Sequence, residues 1–184
     1  MHIFGYDWPK AHAALNDLPA ALLLMTVLFD WAAWITKRES LRSAAIWTLW
    51  AGVIGGWCAV LSGLQAEDAI DHGPAIHKLM EDHQNHALVA MGFFTAVLLY
   101  KLFRRGILSR GEEIAMRVLS ILGLIGVIWT ARIGGDMYFE HAAGVPTAVF
   151  APEAQDRALE HGHGAPGHDE HEHGEHDDHE HEEH

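Results

Sequence analysis

Residues 44–64 read AAIWTLWAGVIGGWCAVLSGL, a run of 21 residues without a charged side chain. A helix needs about 20 such residues to cross the roughly 30 Å hydrocarbon core of a bilayer. The run is apolar on all sides, so it lacks the polar stripe that a helix on a soluble domain presents to water. It therefore predicts a transmembrane helix.

Three further stretches have the same character, and we expect helices at residues 18–35, 86–103 and 114–133 as well. Glycines recur in these stretches; they would be unfavourable in helices facing water, but inside a membrane they let neighbouring helices approach closely. The predicted fold class is all-α, an integral membrane four-helix bundle made of two helical hairpins. We assign this bundle to residues 1–152 and expect a lipid bilayer around it.

Residues 153–184 differ sharply from the bundle, because they contain twelve acidic residues, nine histidines and a single arginine. This segment carries eleven of the thirteen net negative charges of the chain. It cannot bury enough apolar surface to offset the entropy lost on ordering, so we predict a disordered tail. Neither part of the chain is therefore expected to form a basic surface that binds nucleic acid.

The tail combines imidazoles with carboxylates, a mixture that binds Zn²⁺, Cu²⁺ or Ni²⁺ with low specificity. A purely solubilising role is the alternative. The candidate metal ligands in the tail are His161, His163, His168, His171, His173, His176, His179, His181 and His184.

Basic residues cluster in two of the predicted loops, and such clusters mark the cytoplasmic side of a membrane protein. Residues 37–42 contain three of them and residues 101–110 contain four, whereas acidic residues dominate the other loops and the N-terminal segment. We therefore predict that both termini are extracytoplasmic and that the chain lies in the inner membrane of a bacterium.

With this orientation, all seven histidines ahead of the tail lie on the extracytoplasmic side. His12, His83 and His141 stand at three separate predicted helix ends. Because imidazole ligates transition metals and haem iron, and facing helices can each supply one ligand, we predict that these three histidines provide the ligands of a b-type haem. Arg132 is the expected partner of the haem propionates, and His86 is a further candidate metal ligand.

An interfacial role, in which each histidine only forms hydrogen bonds, remains the alternative for every one of these residues. His72 and His77 are expected to be solvated in a polar loop. The two hairpins also resemble each other weakly, since His12 and His83 each begin a span that ends in basic residues. Two such halves would be related by an axis along the membrane normal, with His12 and His83 meeting on it.

Asp30 lies within an otherwise apolar stretch, about 10 Å inside the boundary that Lys37 marks. A charge at the bilayer centre costs about 2.5–3.5 kcal/mol on insertion scales, so Asp30 needs a partner. Arg117 enters the fourth predicted helix at a similar depth from the same side. We predict an Asp30–Arg117 ion pair that joins two helices, with a proton relay as the alternative role.

Several motifs resemble a family of bacterial membrane proteins known as "domain of unknown function 2231", over about residues 10–146. They are His12-x6-Pro19-Ala20-x-Leu22-Leu23 ending in Phe29-Asp30, Leu61-x-Gly63-Leu64, Met80-Glu81-x-His83, and Gly134-Gly135-x-Met137-x-x-Glu140-His141-x-x-Gly144-Val145.

The resemblance implies a four-helix membrane domain whose recurrent histidines correspond to His12, His83 and His141. Some members resemble redox modules, since they are fused to iron–sulfur or cytochrome domains. Many members carry another histidine where this chain has Asp17. A function that needs that imidazole is therefore less expected for this chain.

Three functions are therefore compatible with the sequence: a haem b or electron-transfer subunit, a transition-metal handling protein, and a non-catalytic subunit of a membrane complex. An independent enzyme is not expected, because the chain has no nucleophile–base set, phosphate loop or paired catalytic carboxylates. The expected partners are a redox or membrane-complex protein, or a second copy in a homo-oligomer.

The predicted orientation can be measured with a reporter fused after His184. Alkaline phosphatase, which is active only outside the cytoplasm, should be active in this fusion because both termini are predicted to be extracytoplasmic. A second fusion within residues 37–42 serves as the control and should be inactive. The reverse pattern would contradict the orientation.

Overall fold

The computed structural model describes residues 6–70 and 72–143. The described residues form four α-helices, which confirms the predicted fold class. They are α1 (Trp8–Thr36), α2 (Glu39–Glu67), α3 (Pro74–Phe103) and α4 (Arg110–Phe139). The predicted disordered tail and its metal ligands lie outside the described residues.

Each helix is longer than the apolar run that predicted it, because the capping residues lie beyond the apolar residues. Asp7 caps α1 by accepting a hydrogen bond from the backbone N–H of Lys10, and a capping box of Ser109 and Glu112 begins α4. Pro74 occupies the first turn of α3. As a result, His12 and His83 lie within helices, and the expectation that they stand at helix starts was wrong.

The helices are long enough for a bilayer and carry apolar side chains on their outer surfaces. A helix of 29 or 30 residues is about 44 Å long, close to the full thickness of a membrane with its headgroups. Large side chains such as Ile35, Trp47 and Ile128 are well over half exposed. A soluble bundle would bury such side chains, so the fold is that of an integral membrane protein with lipid around it.

The chain forms two hairpins, α1 with α2 and α3 with α4, and each hairpin packs more extensively within itself than against the other. Glycines set the closest approaches. A Cβ atom added at Gly52 would lie 2.8 Å from the Leu23 side chain, and one added at Gly126 would lie 2.9 Å from Cβ of Ala90. These helix pairs therefore pack through small residues, as membrane helices commonly do.

The weak sequence repeat corresponds to a regular structural repeat, in which matching residues of the two hairpins are 71 positions apart. Gly52 contacts Leu23 in the first hairpin, and Gly123, 71 residues after Gly52, contacts Phe94, which is 71 residues after Leu23. The same offset relates His12 to His83. At these contacts, matching positions of the two hairpins therefore occupy matching places in the packing.

The two ends of the bundle differ in the side chains that they carry. The histidine end is where α1 and α3 begin and α2 and α4 end. The basic end is where α1 and α3 end and α2 and α4 begin, and it includes residues 37–42 and 101–110.

The close packing at Gly126 predicts a destabilised Gly126→Ala variant. The added methyl group meets Cβ of Ala90, which is 2% exposed, and forcing the helices apart should cost about 1–3 kcal/mol. Thermal unfolding in detergent, followed by circular dichroism, measures the loss. Gly92→Ala is the matched control, since an added Cβ there has nothing within 4 Å; equal losses in both variants would contradict close packing as the cause.

Candidate functional site

His12 and His83 meet between the two hairpins at the histidine end. Their ring centroids are 6.3 Å apart and their ring planes are 86° apart. Both side chains are half-buried. The structure thus brings together one imidazole from each half of the repeat, as the sequence predicted for a shared axis.

Each imidazole is oriented by the second helix of its own hairpin. His12 Nδ1 lies 2.9 Å from the carbonyl oxygen of Ala59 and 3.2 Å from Oγ of Ser62. His83 Nδ1 lies 3.0 Å from the carbonyl oxygen of Thr130, which is 71 residues after Ala59. A carbonyl oxygen only accepts, so Nδ1 carries the proton in both rings and Nε2 keeps its lone pair. This is the tautomer that histidine ligands of metals usually adopt.

Glycines make room for both rings at matching positions. A Cβ atom at Gly63 would lie 3.0 Å from Cε1 of His12, and one at Gly134 would lie 3.1 Å from Cε1 of His83. A larger residue at either position would require the imidazole to shift by a few tenths of an ångström. Gly134, which belongs to the glycine-rich motif of the sequence, therefore packs directly against His83.

A cavity of about 170 Å³ lies beside the two rings. Its walls are mostly small or apolar, and its polar lining residues besides the histidines include Asn16, Glu67 and Gln84. Met80, Met91 and Met137 also line it. The cavity is therefore lined by two imidazoles and three thioethers, with mostly small or apolar residues around them.

The other predicted ligands are not part of this centre. His141 is exposed beyond the end of α4, and it does not line the cavity. His86 bonds to the carbonyl oxygen of Asp82 on its own helix, at 2.7 Å.

Arg132, the expected propionate partner, also lies away from the cavity. Its side chain is 69% exposed, 3.9 Å from Asp136 and 5.5 Å above the ring of Trp129. Its guanidinium pairs with Asp136 along the same helix and does not line the space beside the two imidazoles.

A second histidine cluster joins the end of α2 to the start of α3. His72 Nε2 lies 3.1 Å from His77 Nδ1, and that nitrogen lies 3.7 Å from Glu67 Oε1. Ligand atoms of these three residues all lie within 4.8 Å of one another, the only such group among the described residues. The expectation of merely solvated histidines missed this cluster, because the turn at Gly73 and Pro74 brings side chains five residues apart together.

At the basic end, Asp30 lies between two cations. Arg117 Nε is 2.9 Å from Asp30 Oδ2, so the structure brings the predicted pair together, and Lys101 Nζ donates to Asp30 Oδ1 at 3.0 Å. Lys101 stands 71 residues after Asp30, so the two halves of the repeat meet here as well. Lys101 lies in the last turn of α3, within the helix predicted at residues 86–103, although it was also counted with the basic residues at 101–110.

These features define a class of protein: an integral membrane four-helix bundle with a histidine pair between two hairpins that share matching packing contacts. Residues 10–147 match the family described as "Predicted membrane protein (DUF2231)", and the chain belongs to that family. The resemblance of the sequence motifs is thereby confirmed. No curated protein and no solved structure matches the chain.

The contact between Asp30 and Lys101 predicts energetic coupling across the axis. Because each ion pairs with the other in a partly desolvated place, the destabilisation by Asp30→Asn and by Lys101→Met should be less than additive, by about 1 kcal/mol. Thermal unfolding of both single variants and the double variant measures the coupling. Arg110→Gln combined with Asp30→Asn is the control pair, and it should be additive because Arg110 is exposed; additivity in both pairs would contradict the coupling.

Proposed function

We propose that this protein is an electron-transfer subunit of the membrane, in which His12 and His83 would hold a b-type haem. The observation that carries the proposal is the pair of imidazoles on the axis, each with Nδ1 donating to a carbonyl of the neighbouring helix. Both Nε2 atoms are left to ligate. In this role the chain holds and orients the haem, and the haem supplies one-electron chemistry.

The spacing of the two rings suits one metal between them. Metal–nitrogen bonds of about 2.0–2.1 Å place two opposed ligating nitrogens about 4 Å apart. Each ring centroid lies little more than a bond length behind its nitrogen, so centroids about 6 Å apart follow from this geometry. The observed separation is 6.3 Å.

The number of ligands also favours haem over a bare ion. A porphyrin supplies four nitrogens and needs only two from the protein, whereas a structural zinc site takes four protein ligands. Among the described residues, His12 and His83 belong to no group of three histidine, cysteine or carboxylate ligands. Two neighbouring imidazoles without a third ligand are compatible with a bis-histidine haem.

The cavity is small compared with a porphyrin. At about 170 Å³, it is close to the cavity of about 150 Å³ that holds benzene in an engineered protein. A porphyrin is several times larger than benzene, so its rim must occupy space between the two hairpins, where the packing is less extensive. Haem binding therefore requires the hairpins to move apart.

The lining of the cavity favours a second candidate, a transition-metal handling protein that holds copper(I) at the same centre. A single ion fits the cavity without any movement of the helices. Thioethers and imidazoles are ligands that copper(I) accepts, and Met80, Met91 and Met137 line the cavity with the two histidines. The predicted tail and the cluster at Glu67 would then collect metal on the same side of the membrane.

An absorption spectrum of the full chain purified in detergent distinguishes these functions. A haem protein should show a Soret band that is lost in His12→Ala and in His83→Ala. Exogenous imidazole should restore the band in His83→Ala, because it can replace the missing ligand; a histidine with a purely structural role would not respond in this way. His86→Ala and His141→Ala are the controls and should keep the band.

A copper protein should instead show no Soret band and about one copper per chain by mass spectrometry. That copper should be lost in both His12→Ala and His83→Ala. If neither haem nor copper is bound, both of these proposals are overturned.

A further inference from the structure

A second cavity, of about 270 Å³, lies at the basic end, far along the helices from the histidine pair. Charged side chains from all four helices and from the turn after α3 line it. The cations are Arg42, Lys101, Arg105 and Arg117, and the carboxylates are Asp30 and Glu113. The lining therefore carries two more positive than negative charges.

Arg117 is the buried centre of this lining, with 8% of the residue exposed. Its Nε is close to the carboxylate of Asp30 but is not aligned for a hydrogen bond, and its Nη2 bonds to Glu113 at 3.3 Å. Nη1 is buried and has no hydrogen-bond partner among the described residues. Leaving the donors of a buried cation without hydrogen bonds costs free energy, so a further acceptor near this guanidinium would be stabilising.

Arg105 adds a positive charge that no carboxylate neutralises within the described part of the chain. It follows the end of α3 in a left-handed conformation, with φ of 50°. The backbone hydrogen bond from Gly106 to the carbonyl of Lys101 holds this turn. The turn thus brings a further cation to the mouth of a cavity that already contains a buried, incompletely bonded guanidinium.

We propose that this cavity binds a phosphate group. Phosphate matches the site because it carries several acceptor oxygens and more than one cation can bind it at once, and because arginine binds it through paired hydrogen bonds. The cation excess favours an anion, and the guanidinium of Arg117, which lines the cavity, is one of the cations that it would contact.

The depth of the site suits the phosphate of a lipid headgroup. Arg117 lies seven residues into α4, about 10 Å from the helix end, where a helix of about 44 Å passes from the headgroup layer into the hydrocarbon. Basic pockets between membrane helices are known to bind anionic headgroups. Free inorganic phosphate would meet the same donors, so the experiment has to separate the two sources.

The test uses the full chain, purified and delipidated in detergent, and follows thermal unfolding at constant ionic strength. Inorganic phosphate is titrated in one arm and phosphatidylglycerol in the other. Diacylglycerol with the same acyl chains is the lipid control, because it lacks the phosphate. We expect saturable stabilisation by phosphatidylglycerol and none by diacylglycerol; saturation by inorganic phosphate alone would identify the free ion as the occupant.

Two variants assign the binding to this cavity. Arg105→Gln removes an exposed charge without disturbing the packing, and it should raise the apparent dissociation constant about fivefold. Arg117→Lys keeps the charge but removes the planar guanidinium, and it should weaken binding as well; if this variant does not fold, Arg105→Gln alone tests the assignment.

Arg110→Gln is the matched control, because Arg110 is an exposed cation at the same end of the bundle that does not line the cavity. It should leave the dissociation constant unchanged within about twofold. Equal weakening by Arg110→Gln and Arg105→Gln would show general attraction to a basic surface and would overturn the proposal. The absence of saturable stabilisation by either phosphate source would overturn it too.

Discussion

The structure depends on the close approach of two helices within each hairpin, made at glycine. In hydrocarbon, apolar side chains gain nothing by leaving the solvent, so association relies on close packing and on hydrogen bonds between helices. Gly52 against Leu23 and Gly126 against Ala90 supply that packing. Because the backbones come so near, a ring on one helix can reach a carbonyl oxygen on the next.

The hydrogen bonds of His12 and His83 follow from this approach. Within each hairpin the imidazole donates to a backbone carbonyl that lies 47 residues further along the chain. A helix carbonyl normally bonds within its own helix, so these are additional bonds that lock ring orientation. The same packing that holds the hairpins together therefore presents both Nε2 atoms in the tautomer able to ligate a metal.

The repeat explains why the two charged or polar centres lie between the halves. Residues at matching positions of two equivalent hairpins meet wherever they face the shared axis, as His12 and His83 do at one end. At the other end Asp30 meets Lys101, and Arg42 approaches Glu113, again 71 residues apart, to 3.7 Å. Identical side chains at matching positions suit a shared ligand, whereas opposite charges suit an ion pair.

The amino-acid sequence by itself determined the four membrane helices, since runs of apolar residues long enough to cross a bilayer have few other stable structures. It also indicated that His12 and His83 belong together and that Asp30 needs a cation. The predicted helices were shorter than the observed ones, because capping residues such as Asp7 and Ser109 lie outside the apolar runs that were used to find the helices.

Only the tertiary structure decided which side chains share a site. It separated His141 and Arg132 from the histidine pair, joined His72 and His77 through a turn, and added Lys101 to the predicted partner of Asp30. Spacing along the chain shows at which end of the bundle a residue lies. It does not show which neighbouring helix the residue faces, because that direction is set by the packing of glycines against side chains on another helix.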